Sequence, residues 1–238
     1  MECSYKIAGL TVNMDTFGFA YNRASPYRIE YTDQPDVTIP SDYSMLKNRF
    51  PTAQEAMCAY TASASYFYRQ LPLYDGILIH SSTVVMDGKA YMFSADSGTG
   101  KSTHTALYRR VYGDDRVRIL NDDKPAVRLE NGQFFAYGTP WSGKSDLNLN
   151  LRVPLGGICI LQRGEKNEIE PMPARKALFV LLQQTVHPED EYKMGKVLEI
   201  LKKLLETVPI WSLRCNMDPE AVKVSYEAMS GMRKDERK

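Results

Sequence analysis

One segment of this 238-residue chain holds the residue types that a phosphate-binding loop needs. Gly98 and Gly100 can adopt backbone angles that turn successive N–H groups inward around anionic oxygens. Lys101 can neutralise the β and γ phosphates of a nucleotide, and the hydroxyl of Ser102 can bind Mg²⁺. A short strand precedes the segment and a helix over 103–112 follows it, so the positive end of a helix dipole faces the anion. We therefore predict phosphate contacts from Asp96, Ser97, Gly98, Thr99, Gly100, Lys101, Ser102 and Thr103.

A second segment, residues 138–145, also matches the letters of the motif, Gly-Thr-Pro-Trp-Ser-Gly-Lys-Ser. Its proline removes an N–H that a phosphate site would use. The alternation of apolar and polar residues over 147–153 predicts a strand after it, not a helix. We therefore do not expect the main phosphate site there. The turn either buries Trp141 or presents it to a nucleotide base or a substrate, together with Ser142 and Lys144.

An acidic pair, Asp122 and Asp123, follows a short apolar strand at 117–120. Phosphoryl transfer uses a carboxylate to hold the metal or to take the proton from the attacking hydroxyl. Side chains of adjacent residues diverge in extended backbone, so one carboxylate can face the metal and the other the substrate. The competing pair at 114–115 comes directly after the helix and its stop at Gly113, which is typical of a solvated loop.

The chain has three histidines, and their positions alone do not single one out for catalysis. His80 ends a strand over 77–80, just ahead of the hairpin that leads to the phosphate loop. His104 lies in the first turn of the helix after the loop, where it can simply pack. His187 precedes a proline and is placed to cap the next helix.

The hydrophobic patterns predict an α/β fold, with a mixed β-sheet, a P-loop and flanking helices. Asp-Gly and Asn-Gly pairs predict two hairpins, because both residues of such pairs tolerate a positive φ. The hairpin strands are at 84–86 and 89–94, and at 126–130 and 133–137. Further strands are predicted at 27–31, 157–162 and 210–213, and further helices at 53–69, 173–185, 189–208 and 219–229.

We interpret residues 1–238 as a single domain in three portions. A strand-rich N-terminal portion spans 1–70, a nucleotide-binding core 71–165, and a helical portion 166–238. The mixed charges of 233–238 predict a solvated tail.

The composition excludes several classes of protein. The chain is 43% hydrophobic and 25% charged, which is ordinary for a globular protein and excludes disorder over its whole length. Its net charge of +1 gives no reason to expect nucleic acid or an anionic membrane as a partner. The apolar runs are too short to cross a bilayer, no secretory signal is visible at the start, and the four cysteines are scattered. We therefore predict reduced thiols and a cytoplasmic location; a homo-oligomer stays open.

The order of His80, the hairpin, the phosphate loop and the acidic pair resembles the catalytic domain of HPr kinase/phosphorylase, within the phosphoenolpyruvate-carboxykinase-like P-loop fold. The resemblance covers about residues 75–127, and it departs at Ala95, where that family has the first glycine of its loop. It implies that His80 is catalytic and that Asp123 accepts the proton. It also implies that Lys101 and Ser102 bind phosphate and Mg²⁺.

Elsewhere the chain looks like a short form of that family without the full N-terminal domain. The acidic signature EIRGLG is not found, and residues 139–144 instead resemble short HPr-kinase-like proteins, some of which act with peptide-modification systems. The resemblance and the residues together predict an ATP-dependent kinase that phosphorylates a hydroxyl, most simply a serine of a peptide, protein or small molecule. The predicted catalytic residues are Asp123, His80 and Lys101, and Ser102 and Asp122 are the predicted Mg²⁺ ligands. Nucleotide hydrolysis, a carboxykinase-like reaction and ATP sensing through a partner are the alternatives.

Overall fold

The computed structural model describes residues 3–231. The strands, in chain order from β1 to β12, are Cys3–Ile7, Leu10–Met14, Val37–Thr38, Gly76–Leu78, Ser81–Met86, Lys89–Ser94, Arg118–Asn121, Ala126–Glu130, Gln133–Tyr137, Arg152–Arg163, Glu168–Pro171 and Ile210–Cys215. The helices, from α1 to α7, are Phe19–Ala24, Ser44–Arg49, Glu55–Gln70, Lys101–Tyr112, Ala174–Gln183, Glu191–Thr207 and Glu220–Ser230. Short 3₁₀ turns lie at Ser25–Tyr27 and Leu71–Tyr74.

Both predicted hairpins are confirmed, as β5–β6 and β8–β9. The two residues of each turn have positive φ: 48° and 75° at Asp87 and Gly88, and 49° and 82° at Asn131 and Gly132. Two positive φ angles in succession give the type I′ turn, whose twist matches that of the flanking strands. These local sequences therefore determine the register of the strands beside them.

The main sheet of the described residues is mixed, which confirms the predicted α/β class. Its strand order is β4-β8-β9-β10-β6-β5-β7, with β12 beside β10 and β11 beside β12. β10 runs parallel to β6 and to β12, whereas the hairpin strands pair antiparallel. A smaller sheet, β1-β2-β3, belongs to the N-terminal part of the chain.

Helices cover both faces of the central strands, and the side-chain alternation explains why. Met92 and Ile158 project to the face where they pack in one apolar cluster with α5 and α6. Phe93 and Cys159, one residue later in each strand, project to the other face and pack with α4 and α7. Strands that are buried on both faces read as continuous apolar runs, as β6 and β10 do.

The sheet topology brings three separated segments to one edge. β5 runs antiparallel to β6, and the pair Ser81 with Ser94 places the start of β5 beside the end of β6. β7 runs antiparallel to β5, with Thr83 opposite Asn121, so the end of β7 lies at the same edge. The residue before β5, the loop after β6 and the residues after β7 are therefore neighbours.

One predicted strand is wrong and another is shorter than predicted. Residues 27–31 do not form a strand, because a 3₁₀ turn over Ser25–Tyr27 buries Tyr27, and only Arg28 makes an isolated bridge, with Tyr5. Of the strand predicted at 147–153, residues 152–153 belong to β10, and residues 147–151 contribute one isolated bridge, between Asn148 and Asn121.

The alternation over 147–151 has another cause. Leu149 and Leu151 pack against an apolar cluster of the sheet. The intervening Asn148 accepts a hydrogen bond from the Tyr27 hydroxyl at 2.9 Å, and Asn150 donates to the backbone oxygen of Pro26 at 3.1 Å. Two backbone hydrogen bonds join this segment to the end of β7, from Leu149 to Leu120 and from Asp122 to Leu147, so the period of two arises here with a single bridge and not with a full strand.

Within residues 3–231, none of the helices combines the length and the apolar character that a membrane span requires. The four cysteines are thiols in the structure, as predicted. The predicted tail at 233–238 lies outside the described residues.

Candidate functional site

The loop over 95–100 joins the end of β6 to the start of α4. Gly98 and Gly100 have φ angles of +79° and +118°, which side-chain-bearing residues rarely adopt. Ala95 is buried and does not have a positive φ, so an alanine is compatible with the backbone at this position. The Thr99 N–H donates to the backbone oxygen of Asp96 at 3.2 Å, which tightens the turn.

The N-terminus of α4 points out of this loop. Gly100 is its N-cap, and no side chain caps it. The first N–H groups of a helix have no partner within the helix, and the helix dipole adds partial positive charge at the same place. Ser102 and Thr103, in the first turn, are exposed. This end of α4 therefore favours an anion.

Lys101 adds a full positive charge at the loop. Its ammonium donates to the backbone oxygen of Ala95 at 2.8 Å and lies 3.4 Å from that of Asp96. Partial burial lowers the pKa of Lys101, and the carboxylates of Asp123, Asp96 and Asp122 oppose that shift. The lysine is therefore close enough to both residues of the acidic pair to feel their charge.

Asp122 is tied to the first turns of α4. The Ser82 hydroxyl donates to Asp122 Oδ1 at 2.5 Å and lies 2.7 Å from Thr105 Oγ1 in α4. Thr105 in turn donates to the backbone oxygen of Ser102 at 3.2 Å. These contacts connect the carboxylate of Asp122 to the backbone of Ser102; these two residues are the predicted metal ligands.

Asp123, the second residue of the acidic pair, has different partners from Asp122 and forms a pair with His80. His80 Nε2 lies 2.5 Å from Asp123 Oδ1, and the Lys124 ammonium pairs with the other carboxylate oxygen. Burial raises the pKa of Asp123, but the hydrogen bond from His80 and the charge of Lys124 outweigh it, so the net shift is downward. Asp123 is therefore ionised at neutral pH.

Lys124 is a member of the site that the sequence analysis missed. The signal was present, because a lysine directly follows the acidic pair in the sequence. Its position depends on a long-range contact, however, since its backbone oxygen accepts hydrogen bonds from the hydroxyls of Tyr68 and Thr139.

The structure does not bring the other candidate residues into the site. His104 is buried against the Phe93 ring, with 4.6 Å between ring centroids, and burial lowers its pKa to about 4. His187 hydrogen-bonds the backbone oxygen of Leu182 at 2.6 Å, at the end of α5, so it does not cap α6 as expected. Asp114 is exposed and pairs with Arg109 at 2.6 Å, which fits the predicted solvated loop.

The segment 138–145 buries its tryptophan instead of presenting it. Trp141 and Ser142 are both buried, and the Trp141 indole donates to the Ser63 hydroxyl at 3.1 Å. No helix follows, as predicted. Gly143, with a φ of +69°, lies directly beside the carboxylate of Asp123, so the segment contacts the site with its backbone.

A cleft of about 540 Å³ opens on the α4 side of the loop. The Arg163 guanidinium donates to the backbone oxygen of Gly98 at 2.6 Å and so connects the cleft to the loop. The cleft has both apolar and polar walls. Its lining includes Gly98, Thr103, Leu107, Leu161, Arg163 and Asn216.

No cluster of three or more His, Cys, Asp or Glu side chains suited to a metal occurs among residues 3–231. Mg²⁺ does not need such a cluster, because it commonly uses one or two carboxylates together with substrate phosphates and water. The donor set of Asp122 and Ser102, a carboxylate and a hydroxyl, fits that pattern.

Comparison with known proteins gives a matching family model and distant similarity to solved structures. No curated protein matches the chain. The Hpr(Ser) kinase/phosphatase from Coxiella burnetii is 13% identical, with a TM-score of 0.37, covering 65% of this chain and 99% of that one. A likeness this weak does not establish a shared fold or activity. The family model described as SynChlorMet cassette protein ScmC matches residues 46–220, well over half of the chain and all of the site described above, so the chain belongs to the ScmC family.

Proposed function

We propose that the chain is a kinase that transfers the γ-phosphoryl group of ATP to a hydroxyl, most simply a serine of a peptide, protein or small molecule. The proposal rests on one juxtaposition. A glycine-bearing loop and a helix N-terminus lie at the same sheet edge as Lys101, Asp122 and the Asp123–His80 pair. An anion cradle beside two carboxylates with different partners is the minimum apparatus for phosphoryl transfer.

The triphosphate would lie over the 95–100 loop at the start of α4. The exposed N–H groups there and the ammonium of Lys101 would contact its oxygens. To do so, Lys101 would exchange its contact with the Ala95 oxygen for one with the phosphates. The nucleoside would extend into the adjoining cleft past Arg163, whose contact with Gly98 would keep the loop in place.

Asp122 and Ser102 would hold Mg²⁺. The hydrogen bond from Ser82 orients the Asp122 carboxylate, and an oriented carboxylate binds metal more tightly than a free one. When bound, the ion supplies positive charge that reduces the repulsion between the phosphate oxygens and the attacking hydroxyl oxygen.

Asp123 would accept the proton of the acceptor hydroxyl. As the hydroxyl oxygen bonds to the γ phosphorus, the bond between that phosphorus and the β–γ bridging oxygen breaks, and ADP leaves with those electrons. The proton passes to the Asp123 carboxylate. His80 and Lys124 hold this carboxylate ionised and oriented before the reaction, so its contribution is one of position more than of basicity.

Label transfer from γ-labelled ATP with Mg²⁺ tests the proposal, with a pool of synthetic serine-containing peptides as the acceptor probe. We expect the wild type to label peptide, and Asp123→Asn to lose on the order of 10²- to 10⁴-fold in rate while it still binds Mg²⁺–ATP by calorimetry. The matched control is Asp114→Asn, at the exposed salt bridge with Arg109, which should transfer at the wild-type rate.

The same assay separates the alternatives. Release of phosphate without labelled peptide indicates hydrolysis, and nucleotide binding without turnover indicates a sensor. A wild type that binds no Mg²⁺–ATP, or Asp123→Asn at full rate, contradicts the proposal.

A further inference from the structure

The backbone turn after Ser142 forms one wall of the site at Asp123. An added Cβ at Gly143 would lie 2.9 Å from Asp123 Cβ and 3.3 Å from its Oδ2. The turn and the carboxylate are therefore in close contact. Because Asp123 also has His80 and Lys124 on its carboxylate oxygens, the turn completes its surroundings.

An arginine from the N-terminal part of the chain holds the middle of this turn. Arg23, in α1, donates to the backbone oxygen of Gly143 at 2.7 Å and pairs with Asp146 Oδ1 at 2.7 Å. Its side chain is only 11% exposed and lies against the rings of Phe19 and Tyr60, 5.2 Å from each centroid. A planar guanidinium can make these contacts together, and an ammonium cannot.

Tyr60, in α3, contacts Ser142, the residue directly before the same turn. Its hydroxyl accepts from the Ser142 N–H at 2.8 Å and from Arg23 at 2.9 Å. Trp141, just before, is fixed between the rings of Phe67 and Tyr68, with centroid distances of 5.0 and 5.5 Å. The segment is thus held before the turn by the core. After the turn, the Leu147 backbone oxygen accepts from the Asp122 N–H at 3.1 Å, and Arg23 contacts the residues in between.

We infer that Arg23 is a positioning residue for phosphoryl transfer, acting through the Gly143–Asp146 turn on Asp123. This inference rests on the proposed function. It assigns a role to α1, which precedes the matched residues 46–220. Loss of the guanidinium frees the turn from Asp123, so the transfer step slows. Nucleotide binding persists, because the 95–100 loop and its cleft have no contact with Arg23 among the interactions described above.

Arg128 offers a matched control. Its side chain is 15% exposed, it donates to the backbone oxygens of Ala8 and Tyr74, each at 2.9 Å, and it lies 3.4 Å from Glu130. It therefore ties the N-terminal part of the chain to the main sheet as Arg23 does, but at β8. Arg23→Met and Arg128→Met remove the same group from comparably buried positions.

The test measures kcat and KM for Mg²⁺–ATP with the peptide pool, urea unfolding, and hydrogen exchange of the Ser142 amide, which donates to the Tyr60 hydroxyl that Arg23 also contacts. We expect Arg23→Met to lose on the order of 100-fold in kcat with KM changed less than about threefold, and Arg23→Lys to recover little. Exchange of the Ser142 amide should rise about tenfold or more in Arg23→Met alone. Arg128→Met should keep the wild-type kcat even if its urea midpoint falls as far.

Three results would overturn the inference: an unchanged kcat in Arg23→Met, an equal kcat loss in Arg128→Met, or unchanged exchange of the Ser142 amide. A wild type that neither binds nor uses ATP is distinguishable from these, because it refutes the proposed function before any variant is compared.

Discussion

Gly143→Ala is a sharp probe of the wall at Asp123. The new methyl carbon would lie 2.9 Å from Asp123 Cβ and 3.2 Å from its Cγ. Carbon atoms normally approach to about 3.5–4.0 Å, so either the carboxylate or the turn must move by roughly 0.6–1 Å. A displacement of about 1 Å can cost on the order of 100-fold in rate when it affects the reacting geometry. The φ of +69° adds backbone strain of roughly 1 kcal/mol to the folded state.

Gly132→Ala separates the two effects. Gly132 has a φ of +82°, and nothing lies within 4 Å of an added Cβ there. Both variants should lose roughly 1 kcal/mol of unfolding free energy in urea, because both place alanine in the left-handed region. Only Gly143→Ala should lose rate in the label-transfer assay. If Gly143→Ala transfers phosphate as fast as Gly132→Ala, the turn does not position Asp123, and the steric reasoning is wrong.

Two further predictions concern groups behind the site. Burial lowers the pKa of His104 to about 4, against 6.5 for a free histidine. Between these two pH values the unfolded chain takes up a proton that the folded chain does not. The free energy of unfolding is therefore fully retained above pH 6.5 and falls by about 3 kcal/mol as the pH falls towards 4. His104→Gln should therefore lose less unfolding free energy than the wild type between pH 7 and pH 4 in urea titrations, and parallel losses would contradict the assignment. Ser82→Ala removes the hydrogen bond to Asp122 and should raise the Mg²⁺ concentration for half-maximal transfer about tenfold, with little change in the maximal rate. A Mg²⁺ titration that superimposes on that of the wild type would show that the hydrogen bond from Ser82 does not affect Mg²⁺ binding.

Local sequence was enough to predict those parts of the fold that local backbone demands determine. Asp87-Gly88 and Asn131-Gly132 need two positive φ angles, and few residue pairs meet that need. The helix after the 95–100 loop could be predicted to end at Gly113, which has a φ of +86° and closes α4. In each case the residues that specify the structure are also the residues that adopt it.

The strand predicted at 147–153, of which only 152–153 belong to β10, shows where the local signal fails. Leucines and asparagines alternate there, and alternation is the sequence signature of a half-buried strand. The asparagines contact the 3₁₀ turn at Ser25–Tyr27, more than 100 positions earlier in the chain. The alternation indicates that one side of the segment faces apolar side chains and the other faces polar groups. Only the tertiary structure shows that the polar groups belong to the protein and not to water.

The candidate site divides along the same line. Lys101, Asp122 and Asp123 could be proposed from the sequence because motif spacing and strand ends place them. Arg23 could not, since its role depends on α1 reaching a turn 120 positions later. A lone arginine before the matched family residues carries no pattern that would distinguish it from a surface charge.

The second motif match, at 138–145, shows that similar glycine-rich sequences can have different structural roles. In the 95–100 loop, glycines are needed because the backbone turns with positive φ and open space lies beside it. At Gly143 the φ is also positive, but the space beside it is filled by the carboxylate of Asp123. The following lysine is exposed, and no helix begins there. Glycine is required at both places for its backbone angle, but only the first has a helix N-terminus to attract an anion. At the second, the backbone at Gly143 packs against the side chain of Asp123, the proposed base.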